Sequence, residues 1–179
     1  MPSWSQGYIA LGSSLGDRIR YLKMGILHLD IHPQVNVLQC SQIWATQPIG
    51  AAQNQFLNMV LRIETSLEPL EMLDLLLEIE LKNGRKRGVH WMDRTLDLDL
   101  LLLDTWTWHD SRLQLPHPRM FERAFVLVPL KEIFCGERGE LFNAVTEPPK
   151  GMWPVGLFSL AKNHQIKYFA KKQLYWSSL

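Results

Sequence analysis

Two aspartates one residue apart, Asp97-Leu98-Asp99, are the first residues in this 179-residue chain whose spacing suggests chemistry. On an extended strand, residues i and i+2 project from the same face, so the two carboxylates converge. Leu96, Leu98 and Leu100 then face the other way, into a core. Converging carboxylates repel, and at least one pKa rises unless a cation neutralises the pair. Magnesium suits such a pair, because it takes oxygen ligands in an octahedron and keeps waters that a phosphate can replace. Two ions sharing the pair would clamp an attacked and a leaving group. The competing reading is a pair of solvated positions on an edge strand, and Asp-x-Asp alone does not separate the two. Glu80, near the end of the preceding helical segment, is either a nearby acidic partner or a surface residue.

Immediately upstream, Arg85, Arg87 and Arg94 form a basic stretch with Lys86 and His90. The arginine fork binds phosphate oxygens bidentately, and its charge offsets negative charge developing on bridging and leaving oxygens. A metal-bound polyphosphate accounts for so many cations beside an acidic pair. A solvated loop with local ion pairs is the alternative. A nucleic-acid surface is weakened by the balance of 19 Lys+Arg against 18 Asp+Glu, a net charge of +1. Trp91, in the same stretch, is either a core plug or a lid that excludes water.

These residues need elements to position them. Gly7–Gly12 reads as a strand, and Ser13–Asp17 as the turn that caps a helix. Ile19, Leu22, Ile26 and Leu29 recur at helical spacing through Asp30, and Pro33 stops the run. Val35–Thr46 reads as one strand, Gln47–Gln55 as a loop and Phe56–Thr65 as an alternating strand. A second helix opens with Ser66 as N-cap and ends at Gly84. Thr95–Leu103 is a strand and Arg119–Ile133 a helix. The order β-α-β-β-α-β-α fits a two-layer α+β sandwich with split β-α-β connections. We expect a single domain over 1–179, with a core at about 7–135 and a C-terminal extension at 151–179. An extra helix around Leu157–Tyr175 is one way for that tail to pack, and the sequence does not decide it.

Composition narrows the class. With 46% hydrophobic and 21% charged residues, the chain can fold without metal or disulfide staples. Cys40 and Cys135 sit in no CxxC or Cys/His cluster, so reduced thiols are expected. Met1–Gln6 lacks a basic segment followed by an apolar stretch, so no signal peptide is expected, and no apolar run approaches the length of a membrane span. The expectation is a soluble cytoplasmic monomer acting on small molecules, with no nucleic-acid or membrane partner. Neither a GxxxxGK[ST] loop nor a GxGxxG fingerprint occurs, so nucleotide chemistry would use another cradle.

Four stretches together carry a family resemblance: Ala10-Leu11-Gly12-Ser13-Ser14-Leu15-Gly16, Phe56-Leu57-Asn58, Arg94-Thr95-Leu96-Asp97-Leu98-Asp99, and Leu115-Pro116-His117-Pro118-Arg119-Met120 with Glu122-Arg123-Ala124-Phe125. On them, the chain resembles 6-hydroxymethyl-7,8-dihydropterin pyrophosphokinase, a folate-pathway enzyme, from about Gly7 to Ile133. The resemblance implies a ferredoxin-like core, with an antiparallel sheet covered by helices. It implies ATP as co-substrate and two Mg2+ ions held by Asp97 and Asp99. Arg85, Arg94, His117 and Arg123 would hold the triphosphate, with Arg87 as a further cation and Glu80 near the nucleotide. Phe56 and Phe125 would sandwich the pterin, while Thr46, Asn58 and the Pro48 backbone would read its polar edge. The pterin hydroxyl would attack the β-phosphorus of ATP and release AMP. No residue is a clear general base, and Asp97 is the nearest carboxylate for assisting the hydroxyl.

The chain also departs from the family pattern. Trp91-Met92-Asp93-Arg94 stands where Trp-Gly-Pro-Arg is usual, which changes the turns allowed and places an extra carboxylate beside the phosphate residues. His90 replaces a frequent arginine, Ser14 an asparagine and Phe121 a histidine, and Ile49–Gln55 holds fewer prolines. The metal carboxylates and the main phosphate arginines remain, so activity is expected. The alternatives are a paralogue with another acceptor and a non-catalytic nucleotide-binding protein.

Overall fold

β1 (Ser5–Ser13) runs between β4 (Phe56–Thr65) and β5 (Asp97–Leu103), antiparallel to both. A computed structural model describes residues 3–48, 52–85, 93–104, 106–135, 150–160 and 166–170. α1 (Arg18–Asp30) leads to β2 (Val35–Cys40), which joins the far side of β4. α2 (Pro69–Lys82) connects β4 to β5, so each connection skips over one strand. The order β5-β1-β4-β2 with these two crossovers is the ferredoxin-like arrangement, and its antiparallel sheet is covered by helices as expected. β3 (Gln42–Thr46) continues along β4 beyond β2.

Leu22, Ile26 and Leu29 of α1 and Met72, Leu76 and Ile79 of α2 pack on one face of the sheet, against Ile9, Leu11, Met59, Leu61 and Ile63. The opposite face carries Tyr8, Val60 and Leu101, covered by Val126, Leu130 and Ile133 of α3 (Ala124–Ile133). A bulge at Leu101 links the two. Ile9 pairs with Leu100 and Tyr8 with Leu102, so the strand changes parity between them. Leu98 and Leu100 therefore face α1 and α2, while Leu101 faces α3. A short ribbon of β6 (Trp108–His109) and β7 (Gln114–Leu115) follows β5.

Four local expectations change. Val35–Thr46 is two strands, because the Ser41 hydroxyl accepts the Val60 N–H and donates to the Gln42 carbonyl, which breaks the ladder. α2 is capped by Glu68 rather than Ser66: Pro69 fixes the first turn, and Glu71 Oε2 accepts the Glu68 N–H at 2.9 Å. The Arg119–Ile133 helix is divided into a 3-10 turn, Met120–Glu122, and α3, with Arg123 extended between them at φ −112°, ψ 98°. The tail forms β8 (Met152–Leu160) and β9 (Ile166–Ala170) rather than a helix. β8 pairs with the otherwise open edge of β3 and supplies its unpaired backbone groups with partners. Among the described residues, no helix is long and apolar enough to cross a membrane.

Candidate active site

The α3 face of the sheet is closed at one end and open at the other. At the open end its floor is made of small residues of β1. Gly12 lies opposite Asn58 on one side and Asp97 on the other, and Ala10 lies opposite Val60 and Asp99. A Cβ on Gly12 would stand 3.4 Å from Asn58 Oδ1 and 3.8 Å from Asp97 Cβ, in the space between them. The resulting cleft is about 150 Å³, and Thr46, Phe56, Asn58, Arg94, Asp97, Asp99, Arg123 and Phe125 all border it. Residues more than seventy positions apart in sequence thus share one space.

One end of the cleft is lined by aromatic and amide side chains. Phe56 and Phe125 border it, and the Arg123 guanidinium lies 5.7 Å from the centre of the Phe125 ring. Asn58 and Thr46 are buried, and Asn58 Nδ2 donates to Thr46 Oγ1 at 3.0 Å. That bond fixes the amide and leaves Asn58 Oδ1 toward Gly12 as an acceptor. Pro48 is half-buried and is not among the described residues lining the cleft.

The other end is charged. Asp97 Oδ1 meets Arg85 Nη1 at 2.7 Å, and Asp97 Oδ2 meets Arg94 Nη1 at 2.6 Å. Asp99 Oδ2 lies 3.4 Å from Arg123 Nη1. Burial and the neighbouring Asp97 raise the Asp99 pKa, against the pull of His117, Arg123 and Arg85. Burial lowers the His117 pKa, opposed mainly by Asp99. Glu80 is a partner of this cluster rather than a surface residue. It is 2% exposed, pairs with Arg85 and accepts the Leu98 N–H at 2.7 Å, covering an edge donor of β5. Burial pushes its carboxyl up to about 7, with the Leu98 N–H and Arg85 pulling the other way.

Two carboxylates with oxygen ligands only, already neutralised by guanidinium groups, fit a hard divalent cation shared with phosphate oxygens. Among the described residues no three His, Cys, Asp or Glu side chains are placed to hold a metal ion by themselves, and phosphate and water oxygens would complete the coordination. A second cleft of about 330 Å³ lies along β5 and shares Asp99 with the first. His117, Arg112 and Leu73 border it, so His117 stands on the far side of Asp99 from the aromatic end.

Of the expected site residues, Arg87 and Trp91 lie outside the described residues, as do Lys86, His90 and Met92. Two cleft residues, Gln47 and Arg119, were not singled out from the sequence. The signal for each was adjacency: Gln47 follows Thr46, and Arg119 ends Pro-His-Pro-Arg.

Residues 8–135 match the family model of 7,8-dihydro-6-hydroxymethylpterin-pyrophosphokinase (HPPK). The chain belongs to this family. It is 47% identical over 141 residues to the 2-amino-4-hydroxy-6-hydroxymethyldihydropteridine pyrophosphokinase of Bacillus subtilis, covering 78% of this chain and 84% of that protein. It is 37% identical over 131 residues to the bifunctional protein FolKE of Lactococcus lactis subsp. cremoris, covering 73% of this chain and 38% of that one. The fold is similar to that of Plasmodium falciparum HPPK-DHPS with pteroate, at a TM-score of 0.65 and 11% identity, over 93% of this chain and 50% of that one. The HPPK segment ends before β8, so the C-terminal strands lie beyond it.

Proposed function

We infer that the chain transfers the β,γ-diphosphate of ATP to the hydroxymethyl group of 6-hydroxymethyl-7,8-dihydropterin and releases AMP. The observation that carries this reading is one continuous cleft with an aromatic–amide end and a carboxylate–guanidinium end. Phe56 and Phe125 give the pterin ring apolar surface. Asn58 Oδ1 accepts an N–H from its polar edge, and the Thr46 hydroxyl adds a further polar contact, whereas Pro48 does not border the cleft. The ring then sits with its hydroxymethyl group toward Asp97 and Asp99.

The hydroxyl oxygen attacks the β-phosphorus, the bond from that phosphorus to the AMP oxygen breaks, and the hydroxyl proton passes to solvent water. Arg85, Arg94 and Arg123 hold phosphate oxygens, and Arg119, which borders the cleft, adds charge there. His117 holds the nucleotide from the second cleft, which we assign to the ATP side. Both Asp97 oxygens already pair with guanidinium groups, so its role is charge organisation before proton removal. Asp97 and Asp99 would hold two magnesium ions, which neutralise the triphosphate and polarise its oxygens. Binding therefore trades arginine–carboxylate pairs for arginine–phosphate pairs at little net change in charge. Glu80 keeps Arg85 in reach of this exchange.

The reading extends to the whole molecule. Residues 1–179 form one domain, supported by the pairing of β8 with β3 in the same sheet as the site. The protein acts as a cytoplasmic monomer on two small molecules, without nucleic acid or membrane, consistent with its free cysteines Cys40 and Cys135 and its balanced charge. The test is turnover of ATP with the pterin alcohol, followed as AMP and pterin diphosphate. Equal amounts of both, lost when magnesium is removed, support the reading. ATP binding without AMP would point to another acceptor or to a non-catalytic nucleotide-binding protein.

A further inference from the structure

Asp93 stands one residue before Arg94, at a position where the chain departs from the family pattern. Among the described residues its carboxylate reaches across to another loop. Asp93 Oδ2 accepts the Gln53 N–H at 3.3 Å and the Asn54 Nδ2 donor at 2.7 Å, and Oδ1 accepts the Asn54 N–H at 3.2 Å. Three donors on one turn suit an ionised acceptor with two oxygens, which no neutral side chain of this size replaces fully.

The turn so held connects two residues that line the cleft, Ala52 just before it and Phe56 just after, and so sets the wall they form. Other anchors hold the same segment from elsewhere. Arg18 Nη1 donates to the Gln55 carbonyl at 3.0 Å, and the Gln47 N–H donates to the Gly151 carbonyl at 3.2 Å. Asp93 is the anchor that comes from the arginine side. Its own backbone neighbourhood is fixed in turn. The Arg94 N–H donates to Ser14 Oγ at 2.8 Å, and the Arg94 carbonyl accepts the Ser14 and Leu15 N–H groups at 2.8 and 3.0 Å. The Ser13 hydroxyl donates to the Thr95 carbonyl at 2.6 Å. The three loops that meet at the cleft are thus tied in series, from Ser13–Leu15 through Asp93–Thr95 to Gln53–Asn54.

We propose that Asp93 is a positioning residue that couples the acceptor-side wall at Gln53–Asn54 to Arg94, so that the pterin pocket is preorganised by the loop that carries a phosphate-binding arginine. This rests on the pterin reading of the cleft. Asp93 acts through the wall and touches neither substrate. Its loss weakens acceptor capture and leaves the nucleotide side as it was.

The test measures KM for 6-hydroxymethyl-7,8-dihydropterin and for ATP, with the thermal midpoint, on the full chain and on Asp93→Ala, Asp93→Asn, Asn54→Ala and the Asp93→Ala/Asn54→Ala double variant. Asp93→Ala should raise the pterin KM about tenfold, the scale of a hydrogen bond to a charged group. The ATP KM and the thermal midpoint should stay at wild-type values. Asp93→Asn, which keeps one acceptor oxygen, should recover part of the loss. Asn54→Ala should cost less than Asp93→Ala and add nothing to it, because the Asn54 side chain bonds Asp93 through its Nδ2 donor alone while Asp93 also holds two backbone N–H groups. An unchanged pterin KM in Asp93→Ala overturns the proposal, and so does a parallel rise in both KM values with a fall in thermal midpoint. A wild-type chain that makes no AMP from ATP and the pterin overturns the function and the proposal with it.

Discussion

The two faces of the sheet at β5 differ in what one residue of displacement does. Leu96, Leu98 and Leu100 are buried against α1 and α2, at 0%, 4% and 3% exposure. Asp97 and Asp99, interleaved with them, border the cleft on the α3 side. The first face has nothing to do but exclude water, and it is filled. The second is filled only where Tyr8, Val60 and Leu101 meet α3, and it stops where Ala10 and Gly12 leave space. A strand anchored by its apolar face holds its polar face in register, which is how two carboxylates that repel each other are kept together. Stability and chemistry are therefore separable by single substitutions one position apart.

The largest effect belongs to the polar face. Asp99→Ala should lower turnover by at least about a thousandfold, since in the proposed mechanism it removes a magnesium ligand. Its thermal midpoint should hold, because Asp99 sits beside a like charge. AMP release and thermal unfolding measure the two quantities, and near-normal turnover would break the division. Leu96→Ala should do the reverse. A fully buried leucine truncated in a packed core costs about 2–5 kcal/mol, read by urea unfolding, while the folded fraction keeps its turnover. A smaller effect sits where the two faces meet, at Glu80. Burial raises its pKa from 4.5 to about 7, so the folded chain holds a proton that the unfolded chain releases in that window. Its contribution to stability is full below pH 4.5 and is lost as pH rises to about 7. Glu80→Gln carries no such slope and should gain on the wild type across that window in urea unfolding at stepped pH. A constant difference would place Glu80's proton elsewhere.

The acidic pair was legible in the sequence because its logic is the period of a strand, and the leucines between the aspartates declare which side is the core. α1 and α2 were legible for the same reason, at helical spacing. Features that switch a period were not. Leu100–Leu103 is an unbroken leucine run, and nothing in it marks Leu101 as the bulge that changes sides. In β8, Trp153 and Val155 pack on the core, then a register shift opposite Ile43 and Trp44 hands that role to Phe158 and leaves Leu157 exposed. That broken alternation, with Pro154 and Gly156 inside the segment, hid the strand. Phe56 and Phe125 pointed to a ring pocket only through the family resemblance, since aromatics at an element's start are as common in cores. The bonds of Asp93 were illegible because its partners lie forty residues away, and its charge alone suggested a neighbour of phosphate rather than a clasp on another loop.

The most direct test of the division between the faces is to titrate Asp97→Asn with 6-hydroxymethyl-7,8-dihydropterin and then add ATP and magnesium to the same sample. The prediction is pterin binding close to that of the wild type, through Phe56, Phe125 and Asn58, with no AMP formed. AMP produced at the wild-type rate would mean that the carboxylates of β5 do not carry the chemistry, and the account of this cleft would be wrong.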